Sequence, residues 1–113
     1  MAEINGDKLR GHLENLALAA LRRGEAHGFE ILKRLEAAGA GALELKEGSL
    51  YPALYRLEAA GLVKGDWEQG DTGRRGPRRR VYRLTTKGIR RFEQSRKEWD
   101  VFVRVIGGIL EAT

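Results

Sequence analysis

Five arginines stand within one ten-residue segment: Arg74, Arg75, Arg78, Arg79 and Arg80. With a single acid among them, residues 71–80 carry a charge of +4, against +5 for all 113 residues. The rest of the chain is close to neutral. Guanidinium forks at that density suit a polyanion, whose phosphate oxygens they can bind in pairs. The plainer alternative is a solvated basic loop. A second set of groups lies upstream. Ser49, Tyr51, Tyr55 and Arg56 share one face if their segment is helical, because residues three and four apart align, and Lys46 leads into it. Such a face can read base edges and phosphates; packing is the competing role for the two tyrosines.

Groups suited to catalysis are sparse. His12 and His27 are the only histidines, and they fall in different predicted helices with no carboxylate cluster or nucleophile pattern beside them. Gly70, Gly73 and Gly76 lie between predicted strands rather than between a strand and a helix, so they form no phosphate-binding loop. The absence of cysteine excludes disulfides and thiolate metal sites, and it fits a reducing compartment. An enzyme, a cofactor and a metal site are therefore not expected. With 42% hydrophobic and 33% charged residues, the chain should form one globular domain. No run approaches the ~18 apolar residues of a membrane span, and the first residues lack the pattern of a signal peptide. The expectation is a cytoplasmic protein without a membrane partner.

The elements that must position these groups follow from periodicity. Leu9, Leu13, Leu16, Ala20 and Leu21 predict a first helix over residues 8–23, stopped at Gly24. Ile31, Leu32 and Leu35 predict a second over 27–38, ending at Gly39. A turn at 39–42 and a short strand over 43–46 come next. The third helix is expected over 49–61, with Ser49 as cap, Pro52 in the first turn and Leu50, Leu54 and Leu57 facing inward. The period then changes to alternation, giving strands at 62–68 and 78–84 joined by a glycine-rich arm. A long helix over 86–110 closes the chain, capped by Thr85 or Thr86. Its Ile89, Phe92, Arg96, Trp99, Val103, Ile106 and Leu110 recur at alternating spacings of three and four, a seam broken only by Arg96. Phe102 and Ile109 widen that stripe. Packing on its own domain explains part of it, and a partner helix explains more. Gly107 and Gly108 mark either fraying or a close crossing. The fold class is mainly α with a small β-hairpin wing: a winged helix-turn-helix over 1–85, plus a C-terminal dimerisation helix over 86–113 packed with the first helix.

The runs GEAHGFEILKRLE, LELKEGSLYPALYRLEAAGLV and TGRRGPRRRVYRLTTKG resemble the PadR family of bacterial transcriptional regulators. The resemblance covers nearly the whole chain, and a single C-terminal helix is similar to the short second subfamily. It implies a homodimeric repressor on a palindromic double-stranded DNA operator. Lys46, Ser49, Tyr51, Tyr55 and Arg56 would serve as readers, and the five wing arginines would neutralise phosphates or enter the flanking minor groove. Leu9, Leu13, Phe92, Trp99, Val103, Ile106 and Leu110 would form the dimer interface. The family also implies a small aromatic effector stacking on Trp99, with Glu14, Asn15, Leu18 and Arg96 nearby; the competing role for Trp99 is dimer core. Two departures stand out. Gly76-Pro77 interrupts the arginines where many relatives run straight into the strand. Glu14 and Arg96 fall where related ligand pores are neutral or apolar; they could pair across the pore, or Arg96 could hold a carboxylate of an acidic aromatic ligand. The alternative function is a winged-helix protein–protein adaptor that binds no DNA.

Overall fold

The computed structural model describes residue 4, residues 6–9 and residues 11–112. Helices α1 (Gly6–Leu9), α2 (Leu13–Leu21), α3 (Gly28–Ala38) and α4 (Glu47–Ala59) come first, with strand β1 (Ala26–His27) between α2 and α3. Strands β2 (Val63–Trp67) and β3 (Arg80–Leu84) and helix α5 (Thr86–Glu111) complete the chain. The architecture is mainly helical with a small antiparallel sheet, as expected.

The expected first helix is two helices. Gly11 takes a φ of +84°, a left-handed value that glycine reaches without steric cost, and the helical path breaks there. Hydrophobic periodicity runs through the break because Leu9 and Leu13 pack on the same core. The expected strand at 43–46 is also absent; Leu43 makes only an isolated parallel bridge to Ile4. The third strand of the sheet lies at β1 instead. The order is β1-β3-β2, with Ala26 opposite Tyr82, His27 opposite Val81 and Trp67 opposite Arg80.

Helix α4 begins two residues earlier than its serine suggested. Extended Lys46 is the N-cap, and its carbonyl accepts from the amides of Ser49 (3.0 Å) and Leu50 (3.1 Å). Glu47 places a carboxylate in the first turn, where the helix dipole favours it. Ser49 therefore lies inside the helix, and Pro52 sits in the second turn, where its missing amide leaves the carbonyl of exposed Gly48 without a helical donor. Of the two threonines at the start of α5, Thr85 is the cap: its Oγ1 accepts from the Gly88 amide at 3.0 Å.

Leu18, Ile31, Leu50, Leu54 and Leu57 are the largest fully buried side chains, so α2, α3 and α4 enclose the centre. Tyr82 of β3 joins this core, and Phe92 of α5 packs partly against it. Beyond Phe92, α5 runs on with every residue from Arg96 to Ile106 exposed.

Candidate nucleic-acid interface

Burying Leu50, Leu54 and Leu57 of α4 turns Ser49, Tyr51, Tyr55 and Arg56 outward; Lys46 is exposed just before them. Tyr55 is 75% exposed, far more than a packing residue would be. Tyr51 lies with Tyr55, Glu58, Arg80 and Tyr82 along one groove, and with Trp67, Arg78, Arg79 and Arg80 along the next. The outer face of α4 and the root of the β2–β3 wing thus form one continuous surface. Of the ten expected DNA-facing residues, Lys46 caps α4 and the other nine lie on α4 or the wing.

The structure divides the cations by their partners. Arg74 is ion-paired to Glu68. Arg80 is paired to Glu58 at 2.6 Å, and its guanidinium lies 5.4 Å from the centroid of the Trp67 ring. Arg56 is held by Glu14 of α2, Nε to Oε1 at 2.5 Å. Within the chain, Glu14 thus takes the α4 arginine rather than Arg96. Arg78 donates only to the Glu68 carbonyl (2.7 Å), and Arg79 contacts Nε2 of His27 (2.6 Å). Among the described residues Arg75 has no charged or hydrogen-bonding partner. Among the described residues, the guanidinium groups of Arg75, Arg78 and Arg79 thus stand outside any ion pair.

His27 links the wing to α3. Its Nδ1 accepts from the Glu30 amide at 3.2 Å, capping the helix, while Nε2 faces Arg79. A guanidinium carries no acceptor, so that second contact is attractive only when Nε2 bears the lone pair. A neutral ring can accept at one nitrogen at a time, and a protonated ring at neither. Burial, and then the Arg79 charge, hold the His27 pKa below its ordinary value.

Away from this surface, Trp99 of α5 stacks on Phe102 (centroids 5.5 Å apart) and meets His12 edge-on at 5.6 Å. Trp99, Phe102, Val103 and Ile106 are each between 40% and 54% exposed and continue the apolar face of α5. Two residues assigned to sites by sequence lie elsewhere. Leu18 is 1% exposed inside the core, where it can line no open pocket, and Leu9 is buried in the same core rather than on a dimer face. Leu13 and Phe92 are partly buried against that core. Asn15 and Arg96 are exposed.

The family model described as the transcriptional regulator PadR-like family matches residues 17–94, from within α2 to the first third of α5. The chain belongs to the PadR family. It is similar to a transcriptional regulator from Clostridium thermocellum, with 32% identity over 93% of this chain and 96% of that one and a TM-score of 0.79. A PadR family transcription regulator from Clostridium difficile is 30% identical over 88% of this chain and 99% of its own, with a TM-score of 0.76. Bacillus subtilis PadR in complex with operator DNA shares the fold at 23% identity, covering 74% of this chain and 46% of that one, with a TM-score of 0.64. No curated protein sequence matches the chain. PadR proteins are transcriptional regulators and not enzymes, and the long C-terminal helix and three-stranded sheet of this chain match their winged-helix form. Among the described residues no helix is long and apolar enough to cross a membrane.

Sequence reasoning missed four residues of this PadR surface. Trp67 is 57% exposed at the wing root, and the pattern of a strand gave no reason to single out its outward side chain. His27 meets Arg79, and Glu58 and Glu68 hold arginines, across 52, 22 and 6 residues of sequence. Only the last separation is short enough for a local charge pattern to suggest it.

Proposed function

We propose that this PadR regulator is a homodimeric, cytoplasmic repressor that binds a palindromic operator and is released by a small aromatic effector. Residues 1–85 carry the DNA contacts and residues 86–113 the dimer contacts. The observation that carries this reading is the continuous surface of α4 and the wing, with three guanidinium groups outside any ion pair beside two exposed tyrosines. Two copies of α4 would enter successive major grooves about 34 Å apart, as helix-turn-helix dimers do. Lys46, Ser49, Tyr51, Tyr55 and Arg56 supply base and phosphate contacts, and the wing arginines supply phosphate contacts. A relative with this fold is bound to operator DNA, which supports DNA as the partner. The exposed apolar face of α5 supports the dimer, since a contiguous patch of that kind marks a protein contact. Trp99, half exposed beside Phe102, supports a planar aromatic ligand lodged between the two subunits, with Asn15 and Arg96 at its rim.

The test is an anisotropy titration with a duplex from the protein's own promoter, repeated across salt concentrations. Arg75, Arg78 and Arg79 from two subunits give six phosphate contacts and a log–log salt slope of about −5. Replacing Arg75 and Arg78 by alanine should weaken all duplexes alike and bring the slope to about −2. Tyr51→Ala should instead lose the preference for the operator. Binding to no duplex at low salt would replace this reading with the adaptor. A null response of Trp99 fluorescence to planar aromatics would remove the effector and leave the repressor.

A further inference from the structure

The ladder between β2 and β3 ends at Glu68 and Arg79 with an exchange of partners. The Glu68 amide donates to the Arg79 carbonyl at 2.9 Å, as an antiparallel pair requires. The return bond goes elsewhere. The Arg79 amide donates to Oε2 of the Glu68 side chain at 3.0 Å, and the freed Glu68 carbonyl accepts from the Arg78 guanidinium at 2.7 Å. The same carboxylate oxygen also takes the Arg74 guanidinium. One residue therefore holds the arm at its root, through Arg78 and Arg79, and half-way along it, through Arg74.

The arm itself has little to fix it. Residues 69–78 include Gly70, Gly73 and Gly76, each with a left-handed φ, and ordering such a segment is entropically expensive. Its local bonds include two side-chain turns, Asp71 Oδ1 accepting from the Gly73 amide and Thr72 Oγ1 from the Arg74 amide. These bend the chain so that Arg74 returns to Glu68. The Glu68 side chain is 19% exposed, and the Arg79 amide and Arg74 hold its pKa below the usual carboxylate value. An ionised acid in the middle of a surface meant for phosphate opposes binding through charge alone. Its place at the root of the wing calls for a compensating role.

We infer that Glu68 is the positioning residue of the wing, clamping the arm so that Arg75, Arg78 and Arg79 meet phosphates in a single register. The inference rests on the DNA-binding reading above. Without the clamp the same arginines remain, but as a flexible polycation that favours any duplex. Glu68 thus exchanges raw affinity for selectivity.

Wild-type protein, Glu68→Gln and Glu68→Ala would be titrated against a duplex that the wild type recovers from random-sequence selection, and against its scrambled counterpart. Glu68→Ala should lose roughly tenfold on the selected duplex while binding the scrambled one as tightly or more so, because pre-organisation is lost and charge is not. Glu68→Gln keeps an acceptor for the Arg79 amide and should fall between the two. If both variants bind both duplexes more tightly by one common factor, Glu68 is only an opposing charge and the inference fails. Limited trypsin digestion gives a readout independent of DNA. Cleavage after Arg74, Arg75 and Arg78 should accelerate several-fold in Glu68→Ala, with the thermal melt unchanged; equal cleavage would overturn the clamp. Should Glu68→Ala fail to fold, Glu68→Gln decides by the same two measurements. A wild type that selects no duplex would remove the DNA reading, and selectivity with it, leaving the clamp to be judged by digestion.

Discussion

The ring of Tyr51 lies directly over Gly28: a Cβ added there would stand 2.6 Å from the phenol oxygen and 2.7 Å from Cε1 and Cζ. A tyrosine on the outer face of α4 is thus seated by the first residue of α3. One edge packs and the other remains open, which joins the two roles that the sequence left as alternatives. The methyl of Gly28→Ala would displace the far end of a flexible side chain and leave the backbone in place. Gly28→Ala should therefore change stability by no more than about 1 kcal/mol, helix propensity even favouring alanine. Selectivity for the operator should fall, and the effect should vanish in a Tyr51→Ala background. A double-mutant cycle of duplex affinities checks this.

Glu14 and Arg56 join α2 to α4 by an ion pair whose side chains are both roughly half exposed. Such a pair contributes under about 1 kcal/mol to stability, so Glu14→Gln should melt close to wild type. Its effect on DNA should be larger. Releasing Arg56 and removing an acid should tighten duplex binding several-fold at low salt, with the gain shrinking as salt rises. Titrations at two ionic strengths measure it.

The Thr85 hydroxyl does two tasks at once. It accepts from the Gly88 amide to cap α5 and donates to the Gly61 carbonyl at 2.7 Å, tying α5 to the end of α4. Thr85→Ala should cost about 1–2 kcal/mol. In a domain of this size that corresponds to a fall in Tm of roughly 4–8 °C per kcal/mol, readable by circular dichroism.

His27 predicts a pH dependence with a definite sign. Its pKa is lowered in the folded chain by burial and by Arg79, and Arg74 acts in the same direction, while Glu30 and Glu68 oppose the shift. Above the ordinary value of 6.5 the ring is neutral both folded and unfolded, and stability is unaffected. As pH falls below that value the unfolded chain takes up a proton that the folded chain resists, so stability declines. Thermal melts at pH 7.5 and 5.5 should differ more for wild type than for His27→Asn, which can still cap α3 but cannot titrate.

Residues that bury one face of a regular element were legible in advance. Ile31, Leu32 and Leu35 gave α3 to within one residue, and the alternation around Tyr82 gave β3 to within two. What escaped depends on single backbone positions or on distant partners. The break at Gly11 hides behind leucines that serve the same core from either side. Strand β1 has only two residues, too few for any periodicity, and it exists because β3 offers a free edge. Ser49 looked like a cap because its side chain suits one, yet Lys46 and Glu47 already begin the helix. At the interface, residue types announced the arginines but not their state. Which of them keep a free charge depends on Glu14, Glu58 and Glu68, which folding brings to them.

The chain has two tryptophans, and they stand at opposite tasks: Trp67 beside Arg80 on the wing, and Trp99 beside Phe102 on α5. Each is more than half exposed, so each indole emission will respond to whatever covers it. The protein thus carries its own pair of optical reporters. Trp67→Phe leaves a chain whose only indole reports events on α5. Trp99→Phe leaves one that reports events on the wing. Signals from the two could be followed in the same titration series without attaching a dye, and the order in which they change would give the sequence of events.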